Sequence, residues 1–384
     1  MNSSFDFQPR TRIVYGADKI DELGHLASEL GARRALVVSD PGIMKAGHTA
    51  RGVAALSEAG IETHCFSEVH ENPSTNDVNE GVRVAQRHEP EIIIGLGGGS
   101  AMDCAKGINF IYSNGGEMKD YWGVGKALRE MLPMIAIPTT AGTGSETQSF
   151  ALISDSDTHE KMACGDKKAS FRVAILDPQL TVTQPPMVTA LTGIDAIAHT
   201  LETFVTTRRN PASLAFSREA WRLLAGNFAR VLDDPSDLEA RGGMQLGASF
   251  AGLAIENSML GATHALANPL TAEYGTVHGQ AIGVMLPHVI RFNGQHVGEM
   301  YRDLLEVSTG IPGCPGPAKG YEALAEFVSN LVSKAGLAGK LTECGVEEAK
   351  LPQLAADATK QWTGQFNPRI LSEAEMLDLY RQAF

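Results

Sequence analysis

The sequence has few features of secreted, membrane-spanning or nucleic-acid-binding proteins. Its five cysteines are scattered and form no CxxC pair, which indicates free thiols in a reducing, cytoplasmic setting. No apolar run reaches the roughly 20 residues of a membrane-spanning helix, and the amino terminus is not expected to be a signal peptide because it lacks an apolar core. Acidic residues outnumber basic ones, and the net charge of −13 argues against nucleic acid or an anionic membrane as a partner.

What the sequence does contain is typical of a folded protein with two domains. Its 384 residues exceed the size of one ordinary hydrophobic core. In the first half, strand-like and helix-like segments alternate, and the strands are apolar throughout, which predicts a parallel sheet covered on both faces. After Asp177-Pro178 the segments carry helical periodicity instead. We therefore predict an α/β domain over residues 1–180 and a helical domain over residues 181–384.

A glycine-rich turn follows the most apolar of the predicted strands. The turn is Gly97-Gly98-Gly99-Ser100, and a helix is expected directly after it. Glycine lets the backbone approach a ligand, and a helix N-terminus offers free N–H groups to an anion such as a diphosphate. A tight strand-to-helix connection without a ligand explains the same residues, and the turn alone does not distinguish the two.

Two further loops favour a nucleotide. The next strand ends in a loop with hydroxyl groups on Thr139, Thr140 and Thr143. Because the carboxyl ends of neighbouring parallel strands frame one crevice, this loop and the glycine-rich turn would flank the same ligand. Asp40 ends the second predicted strand, where a carboxylate would accept a hydrogen bond from a ribose 2′-OH and repel a 2′-phosphate. An Asx-turn or helix cap before Pro41 is the alternative explanation of Asp40.

The second half contains a set of residues typical of a metal site. Asp195 and His199 are four residues apart and therefore share one face of a predicted helix. His264 and His278 follow in apolar, Gly- and Ala-rich surroundings, where an unpaired imidazole would be costly. One carboxylate and three imidazoles suit a divalent first-row metal. A hydrogen-bonded core is the alternative explanation, and His288 is close enough in sequence to compete for a ligand position.

Several longer stretches extend these patterns into a family resemblance. The chain resembles the iron-containing (group III) alcohol dehydrogenases essentially end to end. The resemblance rests on GGGSAMDCAKG, IPTTAGTGSE, ILDPQLTVTQPPMVTALTGIDAIAHTLE, HALANPLTAEYGTVHGQAIGVMLPHVIRFN and FNPRILSE. The third and fourth stretches are the specific ones. The resemblance implies an α/β Rossmann-like N-terminal domain, an all-α C-terminal domain and a cleft between them, an architecture shared with dehydroquinate synthase.

The resemblance also implies the site residues. The metal ligands would be Asp195, His199, His264 and His278. The residues that bind the cofactor NAD would be Asp40, Asn72, Gly98, Gly99, Ser100, Asp103, Thr139, Thr140, Thr143, Lys161 and Leu180. Fe(II) is the usual ion of the family, and Zn(II) would bind this ligand set more tightly on intrinsic affinity. Family members commonly dimerise, so a homodimer or higher homo-oligomer is expected.

The chain departs from the family pattern at two positions near the expected substrate. Many members have a second histidine four residues after the third ligand, where this chain has Asn268, which cannot take up a proton near neutral pH. Trp362 stands where a small residue or cysteine is common, and its ring either reshapes the pocket mouth or packs in the core. Ile255 and Asn257 are further candidates for the pocket.

The function expected from these features is reversible hydride transfer between a small alcohol and NAD, with the metal polarising the substrate oxygen. One alternative is a transhydrogenase that retains NAD and passes hydride between a hydroxy acid and an oxo acid. A lyase resembling dehydroquinate synthase is another, but it would need basic residues beside the metal for an acidic phosphate substrate. The last alternative is a protein that binds the cofactor but catalyses no reaction.

Overall fold

The computed structural model describes residues 4–384, which form two compact units. One unit contains residues 8–140 and 144–184, and the other contains residues 4–7, 141–143 and 185–384. The break before residue 185 lies a short distance after the domain boundary that we placed between residues 180 and 181. That boundary stays a prediction.

The first unit contains strands and helices in alternation, as the apolar strand segments predicted. The strands are β1 (Arg12–Tyr15), β2 (Arg34–Val38), β3 (Glu62–Phe66), β4 (Ile92–Gly97), β5 (Gly123–Val124), β6 (Met134–Pro138), β7 (Phe150–Ser154), β8 (Lys161–Gly165) and β9 (Val173–Leu176). The helices are α1 (Leu23–Glu29), α2 (Pro41–Lys45), α3 (His48–Glu58), α4 (Thr75–His88) and α5 (Gly99–Asn114).

Six parallel strands form the larger sheet, in the order β1-β9-β6-β4-β2-β3. All of β4 and β6 is buried, which explains why these segments are apolar on both faces. The strand order reverses between β2 and β4, and Gly97 of β4 lies opposite Pro138 of β6. The loops after β2, β4 and β6 therefore leave the same edge of the sheet side by side, at the topological switch point where such sheets bind ligands.

A smaller sheet lies beside this framework, in the order β5-β8-β7. β7 and β8 pair in antiparallel fashion and flank a polar turn. The short helix α2 was not predicted, and it begins at Pro41, whose fixed φ suits the first helical position.

The second unit is helical, as predicted. Its helices are α6 (Pro186–Val205), α7 (Pro211–Asp233), α8 (Leu238–Glu256), α9 (Ala262–Tyr274), α10 (His278–Val307), α11 (Gly320–Lys334), α12 (Leu351–Thr359) and α13 (Glu373–Ala383). Helix α6 begins at Pro186 and is buried on all sides from Gly193 to its end, so it forms the centre of the unit. A kink at Val297 divides α10. None of the helices between residues 4 and 384 has the length and apolar character of a membrane-spanning segment.

Candidate metal and dinucleotide sites

Three imidazoles of the helical unit converge on one buried carboxylate oxygen. Helix α6 contributes Asp195 and His199, α9 contributes His264, and α10 begins with His278. The Oδ1 atom of Asp195 lies 3.3 Å from the Nε2 atom of His199, 3.4 Å from that of His264 and 3.7 Å from that of His278. Asp195, His199 and His264 are buried, whereas 33% of the His278 side chain is exposed. A ligand would therefore reach the cluster from the His278 side.

The donor atoms of Asp195, His199 and His264 are close enough together to hold a divalent cation. Ligands about 2.1 Å from a tetrahedral metal lie about 3.4 Å apart, close to the distances between Asp195 Oδ1 and the three Nε2 atoms. One donor atom from each of Asp195, His199 and His264 lies within 4.8 Å of the other two. The buried atoms Asp195 Oδ1 and His264 Nε2 form no hydrogen bond within residues 4–384. Because an unpaired buried polar atom is costly, both atoms are suited to coordinate a cation.

Glu202 supports this cluster, although the sequence analysis did not select it. Its Oε2 atom accepts a hydrogen bond from His264 Nδ1 at 2.5 Å, and its Oε1 atom accepts one from the backbone N–H of Thr263 at 2.6 Å. A proton held on Nδ1 leaves Nε2 of His264 free as a ligand. Glu202 follows His199 by three residues and Asp195 by seven, so helical spacing alone would have placed it on the same face of α6.

The electrostatics of the cluster favour its ionised carboxylates. Burial by itself would raise the pKa of Asp195, but the imidazoles of His199, His264 and His278 stabilise the carboxylate and the pKa is lowered. Burial opposes ionisation of Glu202 in the same way, yet His264 and the Thr263 N–H lower its pKa. Burial lowers the pKa of His199, which favours the neutral imidazole that a metal requires.

The sheet unit has a candidate anion site at the start of α5. Gly97 has a φ of 153°, and a Cβ atom there would lie 2.8 Å from the Ala101 side chain and 3.2 Å from Asp40 Oδ2, so only glycine fits. Gly98 is the N-cap residue of α5 and has no side chain that could bind the first N–H groups of this helix. Those N–H groups, which begin at Gly99 and Ser100, are available to a diphosphate.

Three predicted cofactor residues form a hydrogen-bonded group next to this turn. The backbone N–H of Asn72 donates to Ser100 Oγ at 3.3 Å, and Lys161 Nζ donates to Asn72 Oδ1 at 3.3 Å. Asn72 has a φ of 53°, a left-handed conformation that asparagine tolerates better than most residues. The structure thus brings Asn72, Ser100 and Lys161 together from three different parts of the chain.

The neighbouring loops contribute further polar groups. Thr139 donates its backbone N–H to Gly97 O, and its buried hydroxyl has no hydrogen-bond partner within residues 4–384. Thr140 lies against Gly98, whereas Thr143 belongs with residues 141–143 to the helical unit. Asp40 caps α2, because its Oδ1 atom accepts from the Ile43 N–H at 3.0 Å. The helix-cap explanation is therefore correct for Oδ1, and Oδ2 faces the glycine-rich turn.

The two remaining predicted cofactor residues, Asp103 and Leu180, contact other residues of the sheet unit. Asp103 accepts from Ser145 Oγ at 2.6 Å and from the Leu152 N–H at 3.3 Å, and burial raises its pKa. Lys106, which the sequence analysis did not select, lies 3.6 Å from Asp103 and is fully buried. The side chain of Leu180 belongs to the hydrophobic core under the sheet, so only its backbone is available to a cofactor.

The predicted pocket residues lie at two places in the helical unit. Asn268 is half-buried one turn after His264 and donates to Gln361 Oε1 at 3.0 Å. Trp362 is 43% exposed and contacts Phe366 edge-on, so it is not a core residue. Ile255 and Asn257 lie at the end of α8, where Ile255 is buried and Asn257 donates to Leu253 O.

A cluster of side chains that could hold a metal, together with a dinucleotide-type switch point in a parallel sheet, is the combination expected of a metal- and nucleotide-dependent enzyme. The chain belongs to the iron-containing alcohol dehydrogenase family. The model of iron-containing alcohol dehydrogenases matches residues 9–178, and that of the Fe-containing alcohol dehydrogenase family, C-terminal, matches residues 189–384. The chain is accordingly a metal-dependent, NAD(H)-linked enzyme that acts on alcohols or on the corresponding aldehydes or ketones.

Individual relatives cover the whole chain. The 1,3-propanediol dehydrogenase of Klebsiella pneumoniae is 33% identical over 386 residues, which span 99% of each protein. A crystal structure of 1,3-propanediol oxidoreductase is 33% identical, with a TM-score of 0.94 and full coverage of both chains. Sulfoacetaldehyde reductase from Bifidobacterium kashiwanohense, solved with NAD+, is 25% identical, with a TM-score of 0.89 and 99% coverage of both chains.

Proposed function

We propose that Asp195, His199, His264 and His278 hold the divalent cation of this dehydrogenase. The observation that carries the proposal is the convergence of three Nε2 atoms on Asp195 Oδ1 at 3.3 to 3.7 Å. The family name supports Fe(II) as the ion. Zn(II) binds such a ligand set more tightly on intrinsic affinity and is the alternative ion.

The chain's own side chains set the conditions of the reaction. A bound cation would supply Lewis acidity toward the oxygen of the alcohol or carbonyl substrate. Asp195 is the only anionic ligand, and Glu202 keeps the proton of His264 on Nδ1. Burial of Asp195, His199 and His264 excludes water from three of the four ligands, which strengthens electrostatic interactions at the reacting centre.

We propose NAD rather than NADP as the redox partner. The diphosphate would bind the uncapped N-terminus of α5, with Asn72 and Lys161 beside it. Thr139 and Thr140 would line the adjoining loop. Asp40 supports the choice of NAD because its Oδ2 atom is directed at the glycine-rich turn, where it would accept from a ribose 2′-OH and repel a 2′-phosphate.

The substrate we propose is a small, uncharged alcohol or its carbonyl product. The polar pair beside the metal ligands is formed by Asn268 and Gln361, and neither side chain titrates. Proton release would therefore depend on water or on the cofactor ribose rather than on Asn268. We further propose a cytoplasmic homodimer or higher homo-oligomer, which the free cysteines and the family resemblance support.

Metal analysis combined with turnover tests this proposal. His264→Ala is expected to lose both bound metal and NADH formation from a panel of small alcohols. His296→Ala removes an exposed histidine further along α10 and serves as the matched control, which should keep both. A His264→Ala enzyme that retains metal and turnover would refute the site. Net NADH formation from added NAD excludes the lyase, and NAD that survives gel filtration would favour the transhydrogenase.

A further inference from the structure

The C-terminal FNPR segment lies where the three ligand-bearing helices meet. Its Phe366 carbonyl accepts a hydrogen bond from the Thr207 N–H at 2.8 Å and from Thr206 Oγ1 at 3.0 Å. Thr206 directly follows α6, the helix that carries Asp195 and His199. The backbone of the segment is therefore attached to the end of the first ligand-bearing helix.

The side chain of Asn367 connects the other two helices. Its Oδ1 atom accepts from the Ala262 N–H at 3.3 Å and from Asn293 Nδ2 at 3.0 Å. Its Nδ2 group donates to Asn293 Oδ1 and to Arg369 O, both at 2.7 Å. Asn367 and Asn293 are each 1% exposed, so all four hydrogen bonds of the Asn367 amide form inside the protein. A side-chain amide has two donors and two acceptor sites, and here each of them is used.

The positions of these partners relate the amide to the metal ligands. Ala262 is the first residue of α9 and lies two residues before His264, while Asn293 lies on α10, which begins at the ligand His278. The N–H of Ala262 has no partner within its own helix, and Asn367 supplies one. The adjacent N–H of Thr263 is bound by Glu202.

The approach of the two acceptors to α9 is close. A Cβ atom on Gly261 would lie 3.0 Å from Asn367 Oδ1 and 3.2 Å from Glu202 Oε1, so a larger residue would crowd both side chains at the start of the helix. Asn367 and Glu202 thus share the capping of α9, and Glu202 also holds His264.

We propose that Asn367 is a positioning residue of the metal site. It fixes the start of α9 and the adjoining face of α10 relative to α6, and it thereby sets the separation of ligands that come from three helices. This inference rests on the proposed metal ligands. The hydrogen bonds of the Asn367 side chain go to Ala262, Asn293 and Arg369 and not to the ligands' donor atoms, so its effect is expected on metal affinity and not on NAD affinity.

The test is the affinity of Asn367→Ala for Zn²⁺, measured on the full-length protein by competition with a chelator. We expect a loss of about 10- to 100-fold, the usual effect of removing a group that supports a metal ligand. The dissociation constant for NAD should stay within about twofold of the unchanged protein, since the cofactor residues lie on other elements.

The matched control is Asn109→Ala in the sheet unit. Asn109 is equally buried and binds the backbone of Leu132 through both ends of its amide, at 2.9 and 3.1 Å. The Asn109→Ala variant should have a lower melting temperature but an unchanged affinity for Zn²⁺. It therefore distinguishes a general loss of stability from a loss of ligand positioning. If Asn367→Ala does not fold, Asn293→Ala tests the positioning role in the same assay. It removes two of the four hydrogen bonds of the Asn367 amide and should also weaken Zn²⁺ binding.

His264→Ala separates the two proposals. If His264→Ala loses Zn²⁺ while Asn367→Ala and Asn293→Ala keep the affinity of the unchanged protein, the positioning role is wrong and the metal site stands. If His264→Ala itself retains Zn²⁺, the metal site is wrong and the positioning role falls with it. If Asn293→Ala, Asn367→Ala and the double variant lose Zn²⁺ affinity to the same extent, the two asparagines act on the metal site together.

Discussion

Replacing Glu202 with glutamine should damage the metal site without removing a ligand. Glu202 accepts the Nδ1 proton of His264 at 2.5 Å. Glutamine has nearly the same shape, and its carbonyl oxygen can still accept from the Thr263 N–H. Its NH2 group would then face His264 Nδ1 as a donor. The imidazole would have to move its proton to Nε2 to accept that hydrogen bond, and a protonated Nε2 cannot bind a metal.

The magnitude follows from the interaction that is lost. A hydrogen bond to a charged group contributes about 1.5–3 kcal/mol, and removing the partner of a metal-bound histidine typically lowers metal affinity about 10- to 100-fold. A tenfold change corresponds to about 1.4 kcal/mol, so the two figures agree. We therefore expect Glu202→Gln to weaken Zn²⁺ or Fe²⁺ binding by one to two orders of magnitude, with NAD binding unchanged.

Chelator competition with Zn²⁺, followed by metal analysis after dialysis, measures this effect. Glu219→Gln is the control, because Glu219 lies on α7, pairs with Arg222 at the surface and should leave metal affinity unchanged. Circular dichroism would establish that both variants keep their helical content. A folded Glu202→Gln protein that binds Zn²⁺ within about twofold of the unchanged protein would refute the role assigned to Glu202.

Three further outcomes are expected. Burial lowers the pKa of His288 to about 4, so its neutral form stabilises the fold above pH 6.5, and that contribution, about 3 kcal/mol, is lost as the pH falls from 6.5 to 4. His288→Gln should therefore make the unfolding free energy less dependent on pH over this range. An unchanged slope of unfolding free energy against pH would contradict the assignment. Asp40→Ala should raise kcat/KM for NADP relative to NAD by about tenfold or more and cost α2 about 1 kcal/mol of capping energy; an unchanged cofactor ratio would limit Asp40 to its capping role. Lys106→Met should lower the unfolding free energy by about 3–5 kcal/mol in chemical denaturation, because it removes three hydrogen bonds to Ser145 and Phe150, whereas Lys168→Met at a partly exposed position should cost about 1 kcal/mol or less.

The sheet unit was predictable because its signals are local. The apolar residues of Ile92–Gly97 require burial on both faces, and the glycines after them leave few alternatives to a strand, a turn and a helix. Gly97 needs its positive φ, which a sequence pattern can indicate directly. Pro186, the first residue of α6, is likewise a local signal, because the fixed φ of proline suits the first helical position.

The metal cluster was predictable only in part. Asp195 and His199 share a helix face through their spacing, and Glu202 extends the same face, so all three could be obtained from one helix. The convergence of His264 and His278 on Asp195 depends on how α9 and α10 cross α6, which no spacing in the sequence encodes. His288 illustrates the limit. It lies on the same helix as His278, ten residues later, and a rise of 1.5 Å per residue places it about 15 Å further along the axis.

The buried polar groups beyond the ligands could not be predicted, for a different reason. A buried polar side chain is tolerated only where its partners are in place, and those partners come from distant parts of the chain. Lys106 binds carbonyl groups about 40 residues away, and Asn367 binds groups 74 and 105 residues away. Composition alone would place a lysine at the surface, so the sequence pattern favours the wrong environment until the fold is known.

The buried polar groups near the proposed metal ligands differ in whether they have hydrogen-bond partners. Asn367 and Asn293 exchange two hydrogen bonds, and Glu202 accepts from His264 and from the Thr263 N–H. The buried atoms of the cluster without a hydrogen-bond partner within residues 4–384 include Asp195 Oδ1, His264 Nε2 and His199 Nδ1. Asp195 Oδ1 and His264 Nε2 therefore carry a desolvation cost at the point where a cation would bind. A bound cation would remove that cost, and for this reason we expect metal binding and the stability of the helical unit to be linked.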